Sequence, residues 1–244
     1  MDQHDTIRTE FSRTAEAFNK RTGGRYQALG VPAFARARDG ERVLEVGAGG
    51  AAFLSLFEPT AALAVALDLT PAMLAVARRD HEGVRCVVGD GAALPFADAT
   101  FDVTASALAF HHMDDPLPVL REMARTSRDR VLIVDQCSSE DVAETAAMTE
   151  LEKVRDPTHA ASRPPSAYRA LAAGAGLRVV DERIVDDVQR LSSWMWPDEF
   201  PAERIEAVRA FLRDRGAEIG MDARAEGGDW AFTRRRLMLL AEVA

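Results

Sequence analysis

The sequence predicts a doubly wound α/β fold, with a sheet of seven strands, an antiparallel last strand and a helical cap. Three observations support this prediction. Apolar runs and helical patterns alternate from residue 41 onward, as they do where helices cover both faces of a parallel sheet. A glycine-rich turn over 47–50 follows the first apolar run, and Asp68 ends the second. Ligands of such sheets bind at the carboxyl ends of the strands.

The elements follow in order along the chain. Phe11, Ala15 and Phe18 recur at helical spacing and predict an amphipathic helix over 7–20. Strands are predicted at 42–47, 62–68, 84–89, 101–107, 130–136, 177–185 and 230–241. Helices are predicted at 50–58, 71–80, 115–126, 140–154, 166–173 and 202–213. These elements divide the chain into an amino-terminal helical lid (1–40), a core (41–185), a cap insertion (186–228) and a last core strand (229–244).

Composition and charge narrow the class of partner. A length of 244 residues suits one domain with a cap, and the net charge is −9. Nucleic acids and anionic membranes attract basic surfaces, so neither is the expected main partner. A membrane-spanning helix needs a run of about 18 apolar residues, and the sequence contains none of that length. The first residues lack a signal-peptide pattern. We expect a cytoplasmic protein that acts on a small molecule, and the oligomeric state is left open.

The glycine-rich turn indicates a cofactor that contains a nucleoside. Glycines at a strand-to-helix turn let the backbone approach a ligand closely, and Asp68 lies where a ribose hydroxyl pair is held in such sheets. Dinucleotide-binding turns usually read G-x-G-x-x-G, whereas the glycines come earlier here and Glu45 precedes them. An acid beside the turn would oppose a pyrophosphate and suits a cationic aminoacyl group. A nicotinamide-dependent oxidoreductase is therefore the weaker alternative.

Motifs at the third and fourth strands carry a family resemblance. G-D-x-x-x-L-P-F begins at Gly89, F-D at Phe101 and H-H-x-x-D-P at His111. With these motifs in this order, residues 41–136 closely resemble the class I S-adenosylmethionine-dependent methyltransferases, in the branch similar to the ubiquinone and menaquinone C-methyltransferases. The resemblance implies a Rossmann-like core and S-adenosyl-L-methionine as the cofactor.

The resemblance also implies which residues surround the methionine part and ribose of that cofactor. Glu45, Gly47, Ala48 and Gly49 would surround them, and Asp68 would hold the ribose hydroxyls. The family's third loop glycine is replaced by Ala51, which would place the following helix slightly further out.

The adenine and the methyl-transfer face are assigned in the same way. Leu69 would touch the adenine, and Asp90 would accept a hydrogen bond from its amino group. Gly91 and Ala92 would supply backbone contacts, and the segment Ser106-Ala107-Leu108 would line the methyl-transfer face.

The residues after the strands set several subclasses of methyltransferase aside. Ala107 to Phe110 contains neither the [D/N]-P-P-[Y/F] motif of base amine methylation nor a cysteine for cytosine C5 chemistry. The magnesium site of catechol-type enzymes needs an acid after the fourth strand and an Asp-Asn pair after the fifth. Ser106 and Asp135-Gln136 stand at these positions, so we expect no metal.

Histidines near the ends of the strands are the candidate catalytic groups. His112 follows the fourth strand, and His159 precedes the cap region; both are candidate catalytic groups. His111 is a candidate pocket residue. The alternative for His111 and His112 is that one caps the next helix and the other packs, and the alternative for His159 is a hydrogen-bonded loop residue.

Aromatic residues are the candidate walls of the acceptor pocket. An apolar pocket would keep water from the sulfonium and suit a small, flat or prenylated acceptor. The alternative is that the tryptophans only bury the cap against the sheet. The candidates are Phe11, Phe18, Tyr26, Trp194 and Trp196.

The leading hypothesis is therefore a methyltransferase for small molecules, with C- or O-methylation favoured over N-methylation. A family member that binds the cofactor but catalyses a cyclisation or decarboxylation is a second hypothesis. The oxidoreductase and a binding module without catalysis remain as the third and fourth.

Overall fold

The computed structural model describes residues 3–22, 26–195 and 200–243, apart from the side chains of residues 17–22. The side chain of Phe18, the glycines 23 and 24, and Trp196 lie outside the described residues. Predictions that depend on these positions stay predictions.

Eight strands form one sheet in the described part of the chain, in the order β3-β2-β1-β4-β5-β8-β6, with β7 paired to β8. The strands are β1 Arg42–Val46, β2 Leu63–Asp68, β3 Val84–Val88, β4 Phe101–Ala107, β5 Ser127–Cys137, β6 Leu177–Arg190, β7 Arg224–Glu226 and β8 Asp229–Val243. The first five pair in parallel, and β8 runs antiparallel to both β5 and β6. The predicted doubly wound, Rossmann-like fold with an antiparallel last strand is confirmed.

The prediction of seven strands missed β7, which forms a hairpin with β8. Gly227 and Gly228 connect the two strands with φ of 60° and 81°. Two consecutive residues at positive φ are what a tight hairpin turn requires. Strand β6 also continues to Arg190, five residues beyond its predicted end.

The helices surround the sheet and supply one wall of the candidate site. They are α1 Gln3–Thr22, α2 Val31–Phe34, α3 Pro71–Asp80, α4 Leu117–Thr126, α5 Val142–Arg155, α6 Pro165–Gly174, α7 Leu191–Trp194 and α8 Ala202–Arg215. None of these described helices is both long and apolar enough to cross a membrane.

The helix predicted over 50–58 was wrong. Only a short 3-10 turn, Leu54–Leu56, forms there. Gly47, Gly49 and Ala51 have φ of 71°, 53° and 61°, so the backbone before this turn bends repeatedly instead of entering a regular helix.

The sheet separates two apolar cores because successive side chains of a strand point to opposite faces. Val43 packs in one core and Leu44 in the other. A third cluster joins α5, α8 and the cap around Trp194 and Phe232. Helix α1 lies outside these cores, where buried Ala15 packs on Met73 of α3. The strand ends are thereby left between the sheet, α1 and the cap.

Candidate active site

A cavity of about 280 Å³ lies at the carboxyl ends of the parallel strands. Eleven of the predicted cofactor residues line it, namely Glu45, Gly47, Ala48, Gly49, Asp68, Leu69, Asp90, Gly91, Ala92, Ala107 and Leu108. The first turns of α1 close one side of it with Gln3, His4, Ile7 and Phe11. We call this space the cofactor cavity.

Ser106 is the exception, and its predicted place on the methyl-transfer face is corrected. Its side chain is buried, and its hydroxyl donates to the carbonyl of Val46 at 2.8 Å. Ser106 is absent from the cavity lining, whereas the next two residues belong to it. The hydroxyl joins β4 to β1.

The turn after β1 is built for close approach of a ligand. Gly47 has φ of 71°, and a Cβ at this position would lie 2.7 Å from the Cβ of Ala109. No larger residue fits without displacing the backbone of one of the two segments. Gly91 has a packing reason as well, because its Cβ would lie 2.8 Å from a methyl carbon of Val46.

Asp68 fixes the turn from the tip of β2. Its two carboxylate oxygens accept the backbone N–H groups of Gly49 and Thr70 at 2.8 and 2.7 Å. Burial raises the pKa of Asp68 despite these two hydrogen bonds. Each carboxylate oxygen has a second lone pair, so the group can also accept from a ligand hydroxyl.

Carboxylates give the cofactor cavity its charge. Glu45 is 1% exposed and accepts the backbone N–H of Leu54 at 3.1 Å, and burial raises the pKa of Glu45 well above its usual value. Asp90 lines the same cavity, and its Oδ1 accepts the N–H of Ala92 at 2.8 Å. Asp114 and Asp115 also line the cavity, which makes five acids with Glu45, Asp68 and Asp90. Even with burial favouring the uncharged form of Glu45, an acidic lining opposes a pyrophosphate and fits a nucleoside that bears a cationic group, as in S-adenosylmethionine.

A second cavity of about 100 Å³ adjoins the first, and we call it the acceptor cavity. Phe11, Leu108 and His112 line both cavities and form the boundary between them. Leu108 has φ of 53°, a backbone strain of the kind that clusters at functional sites. Its N–H donates to the carbonyl of Val134 at 2.8 Å, which holds the turn after β4 against β5.

His111 and Asp135 form a buried pair at the acceptor cavity. Nδ1 of His111 lies 2.6 Å from Oδ1 of Asp135, and the backbone N–H of His111 donates to Oδ2 at 3.0 Å. Burial alone would raise the pKa of Asp135, but the imidazole and the hydrogen bonds outweigh it and lower that pKa. His111 lines the acceptor cavity, so the imidazole is oriented from behind by a carboxylate.

The other two histidines, His112 and His159, are not paired with a carboxylate of the described residues, and their pKa values are lowered. His112 lies at the boundary, with Nδ1 2.8 Å from the hydroxyl of Thr158, and burial together with the neighbouring His111 lowers the pKa of His112 to about 4. The ring of His159 packs 5.5 Å from that of His111, but His159 lines neither cavity, and burial lowers its pKa to about 3. Both are neutral at pH 7, and their predicted catalytic roles stay predictions.

The aromatic candidates divide between the two cavities. Tyr26 lines the cofactor cavity and packs edge-on against Phe53 at 5.3 Å. Phe11 lies at the boundary with its ring 5.1 Å from that of His112. Trp194 lines the acceptor cavity and also packs against Phe232 in the cap cluster. It therefore lies both at the pocket and in the contact between cap and sheet, the two positions considered for it from the sequence.

Sequence reasoning missed several lining residues. Gln3 of α1 donates to the carbonyls of His112 and Thr158, at 2.9 Å each, and so ties α1 to the turn after β4. Asp135 was weighed only as part of an absent metal motif. Arginines contributed by α1, α5, α8 and β8 line the acceptor cavity. The run Arg234-Arg235-Arg236 could have indicated this basic lining, because three consecutive arginines are unusual in a buried strand.

Comparison with known proteins agrees with this geometry. Residues 44–134 match the family of methyltransferase domains. The chain is 28% identical to an uncharacterised methyltransferase, YcgJ, of Bacillus subtilis, over 87% of this chain and 88% of that protein. The crystal structure of YcgJ superposes with a TM-score of 0.82 at 25% identity, covering 89% of this chain and 98% of the other. A demethylmenaquinone methyltransferase of Corynebacterium efficiens is 38% identical, over 37% of this chain and 39% of its own length.

Fold, cavity and comparisons together support an S-adenosylmethionine-dependent methyltransferase. The chain carries a methyltransferase domain over residues 44–134, as the motif resemblance implied. It is an enzyme that uses S-adenosyl-L-methionine.

Metal binding receives no support from the described residues, which contain no cluster of three or more histidine, cysteine or acidic side chains with suitable geometry. Metal independence stays a prediction from the missing acid and the missing Asp-Asn pair.

Proposed function

We propose that the protein methylates a small organic acceptor bound in the acceptor cavity, at an oxygen or an acidic carbon, with His111 as the proton acceptor. The buried His111–Asp135 pair at the acceptor cavity carries this proposal. Bound S-adenosylmethionine supplies an electrophilic methyl group. The residues of the chain bind, orient and deprotonate the acceptor.

The cofactor cavity would bind and orient S-adenosylmethionine. Asp68 and Asp90 would hold the ribose and the adenine, and the turn at Gly47 would lie against the methionine part. Phe11 and Leu108, at the boundary, would position the acceptor next to the transferable methyl group and exclude water from it. Positioning of two reactants can contribute about 7–11 kcal/mol to a transfer reaction.

The acceptor would lose its proton in the acceptor cavity. The Asp135 carboxylate can only accept, so Nδ1 of His111 is the donor in this pair, and in the neutral imidazole Nε2 is then the proton acceptor. A base of this kind is useful only where the acceptor atom that attacks the methyl group carries a proton, as in a phenol, a quinol or an activated carbon. A menaquinone precursor, the acceptor that the name of one relative indicates, belongs to this set.

The experiment combines cofactor binding with turnover on a panel of quinols, phenols and β-dicarbonyl compounds, using deuterium-labelled S-adenosylmethionine. We expect the labelled methyl group in a product, and about a 10²- to 10⁴-fold lower kcat for His111→Gln at unchanged affinity for S-adenosylhomocysteine. His81→Gln, a substitution in the loop before β3, serves as the control. A His111→Gln variant that keeps full turnover would contradict the role of the pair.

A further inference from the structure

The walls of the acceptor cavity are far more basic than the protein as a whole. The chain has a net charge of −9, yet six arginines line this cavity: Arg13, Arg155, Arg204, Arg234, Arg235 and Arg236. Among the residues that the structure describes, two carboxylates, Glu10 and Asp156, share the lining. Such a concentration of one charge sign in a recess raises the local concentration of ligands with the opposite charge.

Carboxylates beside the lining neutralise part of this charge. Glu152 pairs with Arg155 and Arg234, at 2.8 and 2.6 Å, and each of these two guanidiniums also lies about 5 Å from the ring of Trp194. Asp186 and Asp187 contact Arg235 and Arg236 at 3.8 and 3.5 Å. These two acids are 62% and 45% exposed, so water screens them. With these five carboxylates and Asp135, behind a neutral His111, all counted, the six guanidiniums are balanced in charge, so guanidinium donors without an acceptor, and not an excess of positive charge, would recognise a ligand here.

Two of the arginines have buried nitrogens that lack a hydrogen bond. Nη1 of Arg204 and Nε of Arg234 are buried and have no hydrogen-bond partner among the described residues. Arg234 is 8% exposed, and its Nη2 donates to Glu152. Nη1 of Arg204 lies 3.7 Å from Glu10, beyond hydrogen-bond distance, and the guanidinium lies 6.0 Å from the ring of Phe200. Glu10 also pairs with Arg13 at 2.6 Å. A buried donor on a charged group is costly unless an acceptor reaches it.

We infer that the acceptor carries an anionic group, a carboxylate or a phosphate, that is bound by Arg204 and Arg234 while its reactive atom lies next to His111. This inference rests on the proposed function and narrows its substrate class. An oxyanion accepts several hydrogen bonds at once and matches the guanidinium geometry, which makes arginine its preferred partner. Phe11 and Trp194 line the same cavity and would pack against the apolar body of the molecule.

The test compares matched acids and amides. Calorimetry on the complex with S-adenosylhomocysteine would use 4-hydroxybenzoate against 4-hydroxybenzamide, hexanoate against hexanamide, and phenyl phosphate against phenol. We expect an anion of at least one pair to bind about tenfold or more tightly than its neutral partner. Preference in the first two pairs identifies a carboxylate, and preference in the third identifies a phosphate.

Variants assign the preference to the two arginines. Arg204→Gln and Arg234→Gln should each reduce the preference severalfold, whereas Arg209→Gln should leave it unchanged. Arg209 lies on the same helix as Arg204, but it is 44% exposed and lies outside the cavity lining. Binding of no anion above its neutral partner, or equal preference in the Arg204→Gln and Arg209→Gln proteins, would overturn the inference.

A failure of the proposed function has a different signature. Wild-type protein that does not bind S-adenosylhomocysteine would contradict the proposed function itself. Wild-type protein that binds S-adenosylhomocysteine and methylates an acceptor, but shows no charge preference, would contradict the anionic acceptor alone.

Discussion

Nδ1 of His111 lies 2.6 Å from Oδ1 of Asp135, and the two side chains are 8% and 1% exposed. A histidine held in this way from behind is a common arrangement for a general base, because the carboxylate fixes the tautomer and stabilises the protonated ring. In this protein His111 of the pair lines the acceptor cavity, and Asp135 lies behind it.

Asp135→Asn should lower kcat by about two orders of magnitude, since the amide no longer stabilises the protonated imidazole. The affinity for S-adenosylhomocysteine should not change, because Asp135 lies outside the cofactor cavity. Steady-state kinetics and calorimetry measure the two quantities. Asp129→Asn, on the same strand but paired with Arg38 outside the site, is the matched control. Equal kcat in the two variants would remove Asp135 from the mechanism.

Asp68→Asn should weaken binding of S-adenosylhomocysteine about 10- to 100-fold, because hydrogen bonds to a charged acceptor contribute about 1.5–3 kcal/mol. The amide keeps one acceptor for the turn, so thermal unfolding should change much less than affinity does. Asp214→Asn, on an exposed part of α8, controls for the loss of charge. Unchanged affinity in a folded Asp68→Asn protein would rule out the predicted ribose contact.

The buried histidines predict how stability depends on pH. The folded-state pKa of His112 is lowered to about 4, below its unfolded value of about 6.5. Between these values the unfolded chain binds more protons, so stability is fully present above about pH 6.5 and is lost as the pH falls toward 4. His159, with a pKa of about 3, extends the loss to lower pH.

Denaturant unfolding between pH 4 and 7 measures this effect. The free energy of unfolding should fall by roughly 3 kcal/mol from His112 alone, at 1.36 kcal/mol per pKa unit. His112→Gln should flatten the profile, and His81→Gln should not. A wild-type profile that is flat below pH 6.5 would contradict the buried neutral state.

Helix α1 should act as a lid on both cavities. It contributes Gln3 and Ile7 to the cofactor cavity and Glu10 to the acceptor cavity, while its described packing on the core includes Ala15 against Met73. Deletion of residues 1–20 should leave a folded domain that binds S-adenosylhomocysteine more weakly and turns over poorly. Full activity of the truncated protein would refute the lid, and failure to fold would make α1 a structural element.

The cofactor side of the site could be predicted from the sequence because its residues are local to the strand ends. Each strand terminates in a short motif, and a parallel sheet brings consecutive strand ends to one edge. Gly47, Asp68 and Asp90 therefore come together once the strand pattern is recognised. The helix after β1 was misjudged because the positive φ of Ala51 has no sequence signal.

The acceptor side could not be predicted in the same way. Arg13, Arg204 and Arg234 come from three elements separated by long stretches of chain, and only the packing of α1, α8 and β8 brings them to one cavity. Asp135 resembles an ordinary strand residue until β5 places it behind His111, 24 positions away in sequence.

Mass spectrometry of the reaction product tests the central claim most directly. The protein is incubated with deuterium-labelled S-adenosylmethionine and the acceptor panel, beside its Asp135→Asn and Asp129→Asn variants. We predict one labelled methyl group in the product and release of S-adenosylhomocysteine in equal amount, with both signals forming about a hundredfold more slowly in Asp135→Asn alone. A product isomeric with the substrate, or one that has lost carbon dioxide, formed while S-adenosylmethionine remains intact, would contradict methyl transfer and favour the cyclisation or decarboxylation alternative.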